Sequence, residues 1–289
     1  LNHDLAKRLD GCGEWLEFRN YHTVGQVLLS RACFCKKHLL CPLCAIRRGS
    51  KQVKAYLERF QHVQRTQGPF QASLVTLTVK NGDDLRERFE HLMKGVKTLN
   101  QRRRDSKRYA TISEWSKVLG LVGTYETANE LQGWHPHTHI FVLHREPFLD
   151  SGRFDKNGKP IPLLADEWKE ITGDSFIVDV SPVRHPDDPA RDLVEVFKYA
   201  VKFSSMSPEK VVQAYHVLSN RRLIFSAGLL WGVKVPEDLT DEPLENLPYH
   251  EMFYRYIDGN GYNLQNYNDK EISNDRTRAG QDFQASYSR

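Results

Sequence analysis

The pattern of hydrophobic and polar positions predicts a succession of strands and helices. Residues 73–79 are rich in β-branched side chains, which predicts a strand that ends at the turn signal beginning with Asn81. Residues 84–104 carry apolar side chains at helical spacing, which predicts a helix. The runs 120–126 and 134–143 predict two more strands, and turn residues between them predict that they pair as a hairpin.

Weaker signals complete this outline of the chain. They predict short strands at 15–18 and 26–29, a basic helix at 45–65, a helix around Trp168, a strand at 176–180, a helix from Asp188 and a loosely ordered polar tail over the last forty or so residues. Because strands and helices mix around an antiparallel hairpin, we expect an α+β fold in which helices flank a central antiparallel sheet.

Three histidines, His135, His137 and His139, occupy alternate positions in the predicted strand 134–143. Alternate residues of a strand point to the same face, so the three imidazoles share one patch. Neutral imidazole is the commonest side-chain metal ligand, and the apolar residues that follow anchor the patch to a core. The pattern therefore favours a rigid metal-binding platform over the alternative of an exposed, solvated hairpin edge.

A third metal ligand is expected from a neighbouring strand, and Glu126 on the first strand of the hairpin is the candidate. Its alternative interpretation is an ordinary exposed strand glutamate. Two histidines and one carboxylate leave open coordination positions that suit Mg²⁺ or Mn²⁺ when a phosphate completes the shell. Such a metal acts as a Lewis acid on a phosphoryl oxygen and orients it.

A second candidate for chemistry is the predicted helix at residues 190–203. Two ridges run along it, an apolar one of Val194, Phe197 and Val201 and a polar one of Glu195, Tyr199 and Lys202. A tyrosine can attack phosphorus, a lysine can offset the resulting charge, and a glutamate can activate water. Taken alone, the same pattern equally fits a packing tyrosine beside a surface ion pair.

The formal net charge is only +4, but basic residues concentrate at 31–65 and 102–108, whereas 236–248 is acidic. Clustered basic residues predict a polyanion such as nucleic acid as partner, although a solvated helix face is also charged. The candidate phosphate contacts are Arg47, Arg48, Lys51, Arg102, Arg103 and Arg104. No apolar run approaches the roughly 18–20 residues of a membrane span, and the first residues lack a signal peptide's apolar core, which predicts a cytoplasmic protein without membrane contact.

The motifs occur in an order that resembles the plasmid rolling-circle replication initiator (Rep) proteins of the single-tyrosine type, in the HUH endonuclease superfamily. The matching positions are Gly11-Cys12-Gly13, Cys35, Cys41 to Arg48, the strand 74–79, Glu126, the histidine run 134–139, the strand 177–180, Glu195, Lys198-Tyr199, Lys202 and Arg221 to Gly228. The resemblance spans roughly residues 10–230. The histidine and tyrosine motifs are specific only in combination.

The resemblance implies a role for each matching residue. His137 and His139 would be the paired metal ligands, with Glu126 as the third. Tyr199 would nick one strand at the double-strand origin, becoming linked to the 5′ phosphate and freeing a 3′ hydroxyl. Glu195 would activate water to end a replication round, and Lys202 matches the lysine of the motif. The implied partners are origin DNA with an extruded single-stranded nick site, a host helicase and a host DNA polymerase, in the cytoplasm of a plasmid-bearing bacterium.

All five cysteines lie between residues 12 and 44, and an odd number in so short a segment argues against a secreted disulfide scaffold. Cys41 and Cys44 form a sound zinc half-site, and Cys12 with Cys35 completes four thiolates. Cys33 and His38 are close enough to replace one of these ligands, and free buried thiols remain the alternative.

Three parts are therefore expected. Residues 1–66 would be a zinc-binding subdomain with the basic helix, 67–235 the HUH endonuclease domain and 236–289 the polar tail. Two alternatives stay open: an HUH transposase or relaxase, which shares the chemistry, and a zinc-dependent origin-binding repressor without catalysis.

Overall fold

The computed structural model describes residues 3–109, 113–130, 132–183, 189–197, 206–245, 247–258 and 260–270. The helices and strands, in chain order, are α1 (His3–Asp10), β1 (Trp15–Tyr21), β2 (Gln26–Ala32), α2 (Pro42–Gln67), β3 (Gln71–Thr78), α3 (Leu85–Tyr109), β4 (Val118–Glu130), β5 (Gly133–His144), β6 (Asp150–Phe154), β7 (Pro160–Pro162), α4 (Leu164–Thr172), β8 (Val178–Pro182), α5 (Pro189–Val196), α6 (Pro208–Leu218), β9 (Ile224–Gly228), β10 (Tyr249–Ile257) and β11 (Gly261–Lys270). The mixed architecture of antiparallel sheets and helices is confirmed.

The chain divides into two compact units. One unit comprises Lys36–Glu237, and the other combines Asn2–Cys35 with Asp238–Arg289. These boundaries differ from the three parts expected from the sequence. The expectation of a loosely ordered tail is wrong for residues 249–270, because β10 and β11 pair with each other there. Each unit has its own sheet.

The larger unit is built on a five-stranded antiparallel sheet in the order β8-β3-β5-β4-β9. The β4–β5 hairpin at its centre turns at Gly133, where the backbone has a φ of +93°. A Cβ at this position would lie 2.7 Å from the carbonyl oxygen of Gly82, so the turn requires glycine. The sequence therefore closes the hairpin at a fixed point and sets the register of the two strands.

Both faces of this sheet are buried, which explains the unbroken apolar run at the end of β5. Ile140 and Val142 belong to one core cluster, which also receives side chains from α3, α4 and α6. Phe141 and Leu143 point to the other face and share a second cluster with α2 and α5. Odd-numbered residues of β5 therefore face α2 and α5, and even-numbered residues face the opposite layer.

The smaller unit contains a four-stranded antiparallel sheet in the order β11-β10-β1-β2. Tyr21 at the end of β1 is fully buried, and its hydroxyl accepts a hydrogen bond from the backbone N–H of Leu244. The side chain of Asp241 accepts another from the N–H of Leu29. These contacts join the two separate chain segments of the unit into one sheet with its own packing.

Two local expectations are corrected by the structure. The strand expected from residue 176 begins at Val178, and Phe176 and Ile177 are 61% and 62% exposed. Val194 was expected on an apolar ridge but is 42% exposed, because α5 instead buries Leu193. None of the helices among the described residues combines the length and hydrophobicity needed to cross a bilayer.

Candidate functional site

The β4–β5 hairpin places Glu126, His137 and His139 on one face of the five-stranded sheet. Glu126 pairs directly with His137 across the ladder, and Thr124 pairs with His139. Directly opposite residues in an antiparallel pair point to the same side, as do residues two apart on one strand. The hairpin alone therefore brings one carboxylate and two imidazoles together.

The three side chains converge on a common point. Glu126 Oε2 lies 3.4 Å from His137 Nε2 and 3.8 Å from His139 Nε2. Both distances exceed those of an ordinary hydrogen bond. One ligand atom from each residue lies within 4.8 Å of the other two, an arrangement that can hold a metal ion.

Hydrogen bonds from the far side of each ring fix the two imidazoles. His137 Nδ1 lies 3.1 Å from the carbonyl oxygen of His135, which can only accept, so Nδ1 donates and a neutral ring directs a bare Nε2 toward Glu126. His139 Nδ1 lies 2.9 Å from Thr76 Oγ1 on β3. Metal-binding histidines are typically oriented in this way. The role of Thr76 was missed in the sequence because it depends on the β3–β5 register, in which Thr76 pairs with His139.

Burial makes this site costly unless a cation completes it. Glu126 and His137 are only 3% and 4% exposed, and Glu126 Oε1 has no hydrogen-bond partner among the described residues. A buried carboxylate oxygen without a partner is unfavourable. A divalent cation would satisfy that oxygen, and the donor set of two imidazole nitrogens and one carboxylate fits such an ion.

His135, the third histidine of the run, has a different partner. Its ring centroid lies 5.1 Å from that of His137, but its Nδ1 lies 2.6 Å from Asn81 Oδ1. An amide oxygen accepts, so His135 donates to it. This side chain therefore links the candidate metal-binding group, which consists of Glu126, His137 and His139, to the loop after β3.

The helix predicted to carry the reactive side chains is described as far as Phe197. Tyr199 and Lys202 lie outside the described residues. Glu195 lies on α5 and is exposed. Leu193 of α5 packs with Phe141, whose odd position on β5 places it on the same face as His137. The structure thus brings α5 to the face that carries Glu126, His137 and His139.

The end of α5 is held tightly against α2. A Cβ at Gly49 would lie 2.6 Å from the carbonyl oxygen of Phe197, so glycine permits this close backbone approach. The ring of Tyr56, two turns further along α2, stacks on the ring of Phe197 with centroids 5.3 Å apart. The chain two residues before Tyr199 therefore has a fixed anchor.

The cysteines predicted to bind zinc divide between the two units, and no disulfide links any of the five cysteines of the chain. In the smaller unit, the backbone N–H of Cys35 donates to Cys12 Sγ at 3.3 Å. Cys33 of the same unit donates to the carbonyl oxygen of Gly11 and accepts from the N–H of Trp15. Cys12 and Cys35 therefore lie side by side, while Cys33 has backbone partners.

In the larger unit, Cys41 directly precedes α2 and Cys44 lies in its first turn, and both are buried. Nearby His38 is partly buried, and burial lowers its pKa to about 4, with help from the charges of Arg48 and Lys37. His38 is therefore neutral near pH 7, the form that a metal ligand requires.

The basic residues predicted to contact DNA have different environments. On α2, Arg48 is exposed and Arg47 and Lys51 are half-buried. On α3, Arg104 is exposed, whereas Arg103 is buried and donates to the carbonyl oxygen of Val118 at 3.2 Å. Arg102 forms an ion pair with Glu170, with 2.8 Å between Nη2 and Oε1. Arg102 and Arg103 thus contact other elements of the protein, whereas Arg104 donates to Gln101 of its own helix.

Sheet, hairpin and metal-binding group together define a class of protein that presents a buried carboxylate and two histidines from one antiparallel hairpin. The replication protein family matches this chain over residues 26–252. The chain therefore belongs to the family of plasmid replication initiator (Rep) proteins.

Curated relatives agree with this assignment. The chain is 26% identical to a protein rep from Bacillus sp over 81% of its own length and 70% of the relative's. It is 28% identical to a protein rep of Lactiplantibacillus plantarum over 85% and 78% of the two chains. It is 25% identical to a protein rep of Streptococcus pneumoniae over 85% and 76%. No solved structure shows a significant match.

Proposed function

We propose that this Rep protein starts rolling-circle replication by nicking one strand of the plasmid double-strand origin and transferring the cut strand. The observation that carries the proposal is the buried Glu126 carboxylate, which faces the Nε2 atoms of His137 and His139. α5 packs on the same face of the sheet and leads toward Tyr199. The helix that precedes the candidate nucleophile in the sequence therefore packs on the side of the sheet that carries Glu126, His137 and His139.

The proposed cleavage is a transesterification at phosphorus. The Tyr199 oxygen loses its proton and forms a bond to phosphorus, while the bond from phosphorus to the 3′ oxygen breaks. The 3′ oxygen takes up a proton and leaves as a 3′ hydroxyl. Tyr199 is then linked to the 5′ phosphate, and Lys202 offsets the negative charge. Mg²⁺ or Mn²⁺ held by Glu126, His137 and His139 would polarise a phosphoryl oxygen.

Termination needs a second nucleophile if Tyr199 acts alone. Glu195 precedes Tyr199 by four residues and is exposed on α5, where water can reach it. A carboxylate in this position acts as a general base that removes a proton from the attacking water. The released 3′ hydroxyl would serve a host polymerase, and a host helicase would separate the strands.

The basic face of α2 is the proposed phosphate-binding surface. Arg47 and Lys51 are four residues apart, so they lie on the same side of the helix. Arg48 and Arg104 are exposed and can contribute. Phosphate contacts of this kind make the affinity for origin DNA depend on salt.

A structural zinc ion bound by Cys12, Cys35, Cys41 and Cys44 is also proposed, as their spacing in the sequence indicates. Support comes from the buried Cys41 and Cys44 at the start of α2 and from the adjacent Cys12 and Cys35. Cys33 and His38 are the alternatives for one of these ligands. Zinc bound by thiolates stabilises a fold, and its measured content should be one ion per chain.

The test of the nickase proposal is the Tyr199→Phe variant. It lacks the attacking oxygen, so we expect no relaxation of supercoiled plasmid carrying the origin, with DNA binding retained. Tyr215→Phe is the matched control, because Tyr215 lies on α6 and packs against the core. The control should nick at the wild-type rate.

Two results would contradict the proposal. A Tyr199→Phe variant that nicks at the wild-type rate would refute the assignment of Tyr199 as the nucleophile. A wild-type protein that binds the origin without ever nicking it would favour a zinc-dependent origin-binding repressor. Cleavage at a transposon end or a transfer origin instead would favour the transposase or relaxase, which share the chemistry.

A further inference from the structure

A cavity of about 500 Å³ opens beside the metal-binding group, between the end of β3, the start of β5 and the segment before β8. Its lining includes Lys80, Asn81, Gln132, His135, Ser175 and Phe176. The volume falls within the range of small-ligand sites, which is about 300–1,000 Å³. The cavity shares His135 with β5, so a ligand here would lie beside the strand that carries His137 and His139.

The walls of this cavity are fixed by hydrogen bonds. The backbone N–H of Lys80 donates to Ser175 Oγ at 2.9 Å, and the N–H of Thr78 donates to the carbonyl oxygen of Ile177 at 3.2 Å. On the other side, Gly82 and Trp134 exchange two backbone hydrogen bonds of 3.1 and 2.8 Å. The loop after β3 is thus tied both to the segment before β8 and to the histidine strand.

Phe176 is the unusual side chain of the lining. It is 61% exposed, and Ile177 beside it is 62% exposed. The two residues extend from a backbone that is fixed at Ile177, so they present an apolar surface to solvent at the cavity. An exposed aromatic ring next to a nucleic-acid site offers a face on which an unpaired base can stack.

Charge around the cavity suits a phosphate chain. Lys80 is exposed and carries a positive charge. Asp174 is the acidic residue of the lining, and it is bound by Arg88 at 2.9 Å and by His91 at 3.1 Å. Partial burial acts to raise the pKa of Asp174, but hydrogen bonding from Ser175 and the charge of Arg88 outweigh it and lower the pKa. Its charge is therefore offset by the guanidinium of Arg88.

Two amide side chains supply hydrogen-bonding groups. Asn81 accepts from His135 through Oδ1, which directs its NH₂ donors elsewhere. Gln132 is exposed at the same cavity. An amide side chain can donate to and accept from the same base edge, and unpaired bases expose their edges.

We propose that this cavity binds one unpaired base of the single-stranded DNA next to the nick site. Phe176 stacks on the base, Asn81 and Gln132 bond its edge, and Lys80 binds an adjacent phosphate. The proposal rests on the nickase function for its choice of ligand. It makes Phe176 the residue that holds the strand and Asn81 the residue that selects the base.

The test uses three fluorescein-labelled homopolymers of about 12 nucleotides, one of dT, one of dA and one of dC. No Mg²⁺ or Mn²⁺ is added. The fluorescence anisotropy of the labelled oligonucleotide, measured as the full chain is titrated in, gives the Kd. Phe176→Ala should weaken binding by about 5- to 100-fold, the equivalent of one lost stacking contact. Phe176→Trp should restore it. Phe154→Ala is the matched control, because Phe154 is 66% exposed on β6, away from the cavity.

Asn81→Ala should change the ratio of Kd values among the three oligonucleotides by about 5-fold or more. Because Phe176 is exposed, its variants should have the same melting temperature as the wild-type protein. An unchanged Kd for Phe176→Ala, or an equal loss in Phe154→Ala, would overturn the base-binding site. Nicking of supercoiled plasmid is measured separately. Nicking without any effect of Phe176→Ala on binding would refute the base-binding site alone. Binding of single strands through Phe176 without nicking would refute the nickase function alone.

Discussion

Two clusters of candidate functional residues look alike in the sequence but differ in the structure. The histidines of β5 and the arginines of α3 are both short, dense runs of one residue type. The strand gathers His137 and His139 on one face with Glu126, whereas the helix separates Arg102, Arg103 and Arg104. The difference lies in the period of the two elements, because a strand repeats every two residues and a helix every 3.6.

The arginine run shows the effect of helical period in detail. Arg103 continues the buried ridge of Leu92, Val96 and Leu99, and its side chain is 7% exposed. Burial lowers its pKa, with a further contribution from Arg104. Consecutive positions on a helix point about 100° apart, so three adjacent arginines cannot form one patch. A density of charge in the sequence is therefore a weaker signal than its spacing.

The largest expected effect comes from breaking the histidine cluster. His137→Ala removes a proposed metal ligand that Glu126 faces, so the proposed divalent-metal-dependent nicking should fall by about 100-fold or more. The measurement is the nicking rate against Mn²⁺ concentration. His62→Ala, an exposed histidine of α2, is the control and should behave as wild type. Unchanged activity of His137→Ala, or full activity in EDTA, would refute the metal site.

A second prediction separates the two kinds of arginine. Arg103→Ala removes the hydrogen bond to Val118, so the free energy of unfolding should fall by about 1–3 kcal/mol, measured by urea denaturation. Arg104→Ala, the exposed neighbour, should change it by about 0.5 kcal/mol or less. Lys51→Ala should leave stability intact but lower the slope of log Kd against log salt by about 1. Equal stability of both arginine variants would contradict the comparison.

The sequence predicted the hairpin, the shared face of the histidines and the position of Glu126 opposite them. All three depend on neighbouring strands joined by a short turn. It also placed α2, β3 and α3 close to their observed bounds. It did not predict the smaller unit, because β1 pairs with β10 across more than two hundred residues of chain. Pairing over such a distance leaves no periodic signal, and the polar composition of the last residues suggested a loose tail instead.

The contact of Thr76 with His139 was missed for the same reason. By contrast, the burial of Arg103 could have been found from the sequence, because the apolar spacing of Leu92, Val96 and Leu99 extends to it. The environment of Arg102 depends on Glu170 of α4, a contact that helix periodicity alone does not give.

The smallest expected effect concerns His144, which lies on β5 but at an even position. Its Nε2 lies 2.9 Å from Ser73 Oγ, and burial lowers its pKa, aided by Lys117 and opposed by the Glu146 carbonyl. The pKa of histidine in an unfolded chain is about 6.5. The contribution of His144 to the stability is therefore complete above about pH 6.5 and is lost as the pH falls below that value.

His144→Gln should flatten the fall in melting temperature between about pH 7 and pH 5, by a few degrees at most. His62→Ala serves again as the exposed control. A variant with the same pH dependence as the wild-type protein would show that burial of His144 does not oppose its protonation.

The central claim is that a metal-binding hairpin and Tyr199 act on the same phosphate. The most direct measurement is incubation of the full chain with an origin oligonucleotide and Mn²⁺, followed by mass mapping of the covalent adduct. We predict an adduct on Tyr199 that requires the divalent ion and disappears in Glu126→Gln. An adduct on another residue, or one that forms equally well without the ion, would contradict the account.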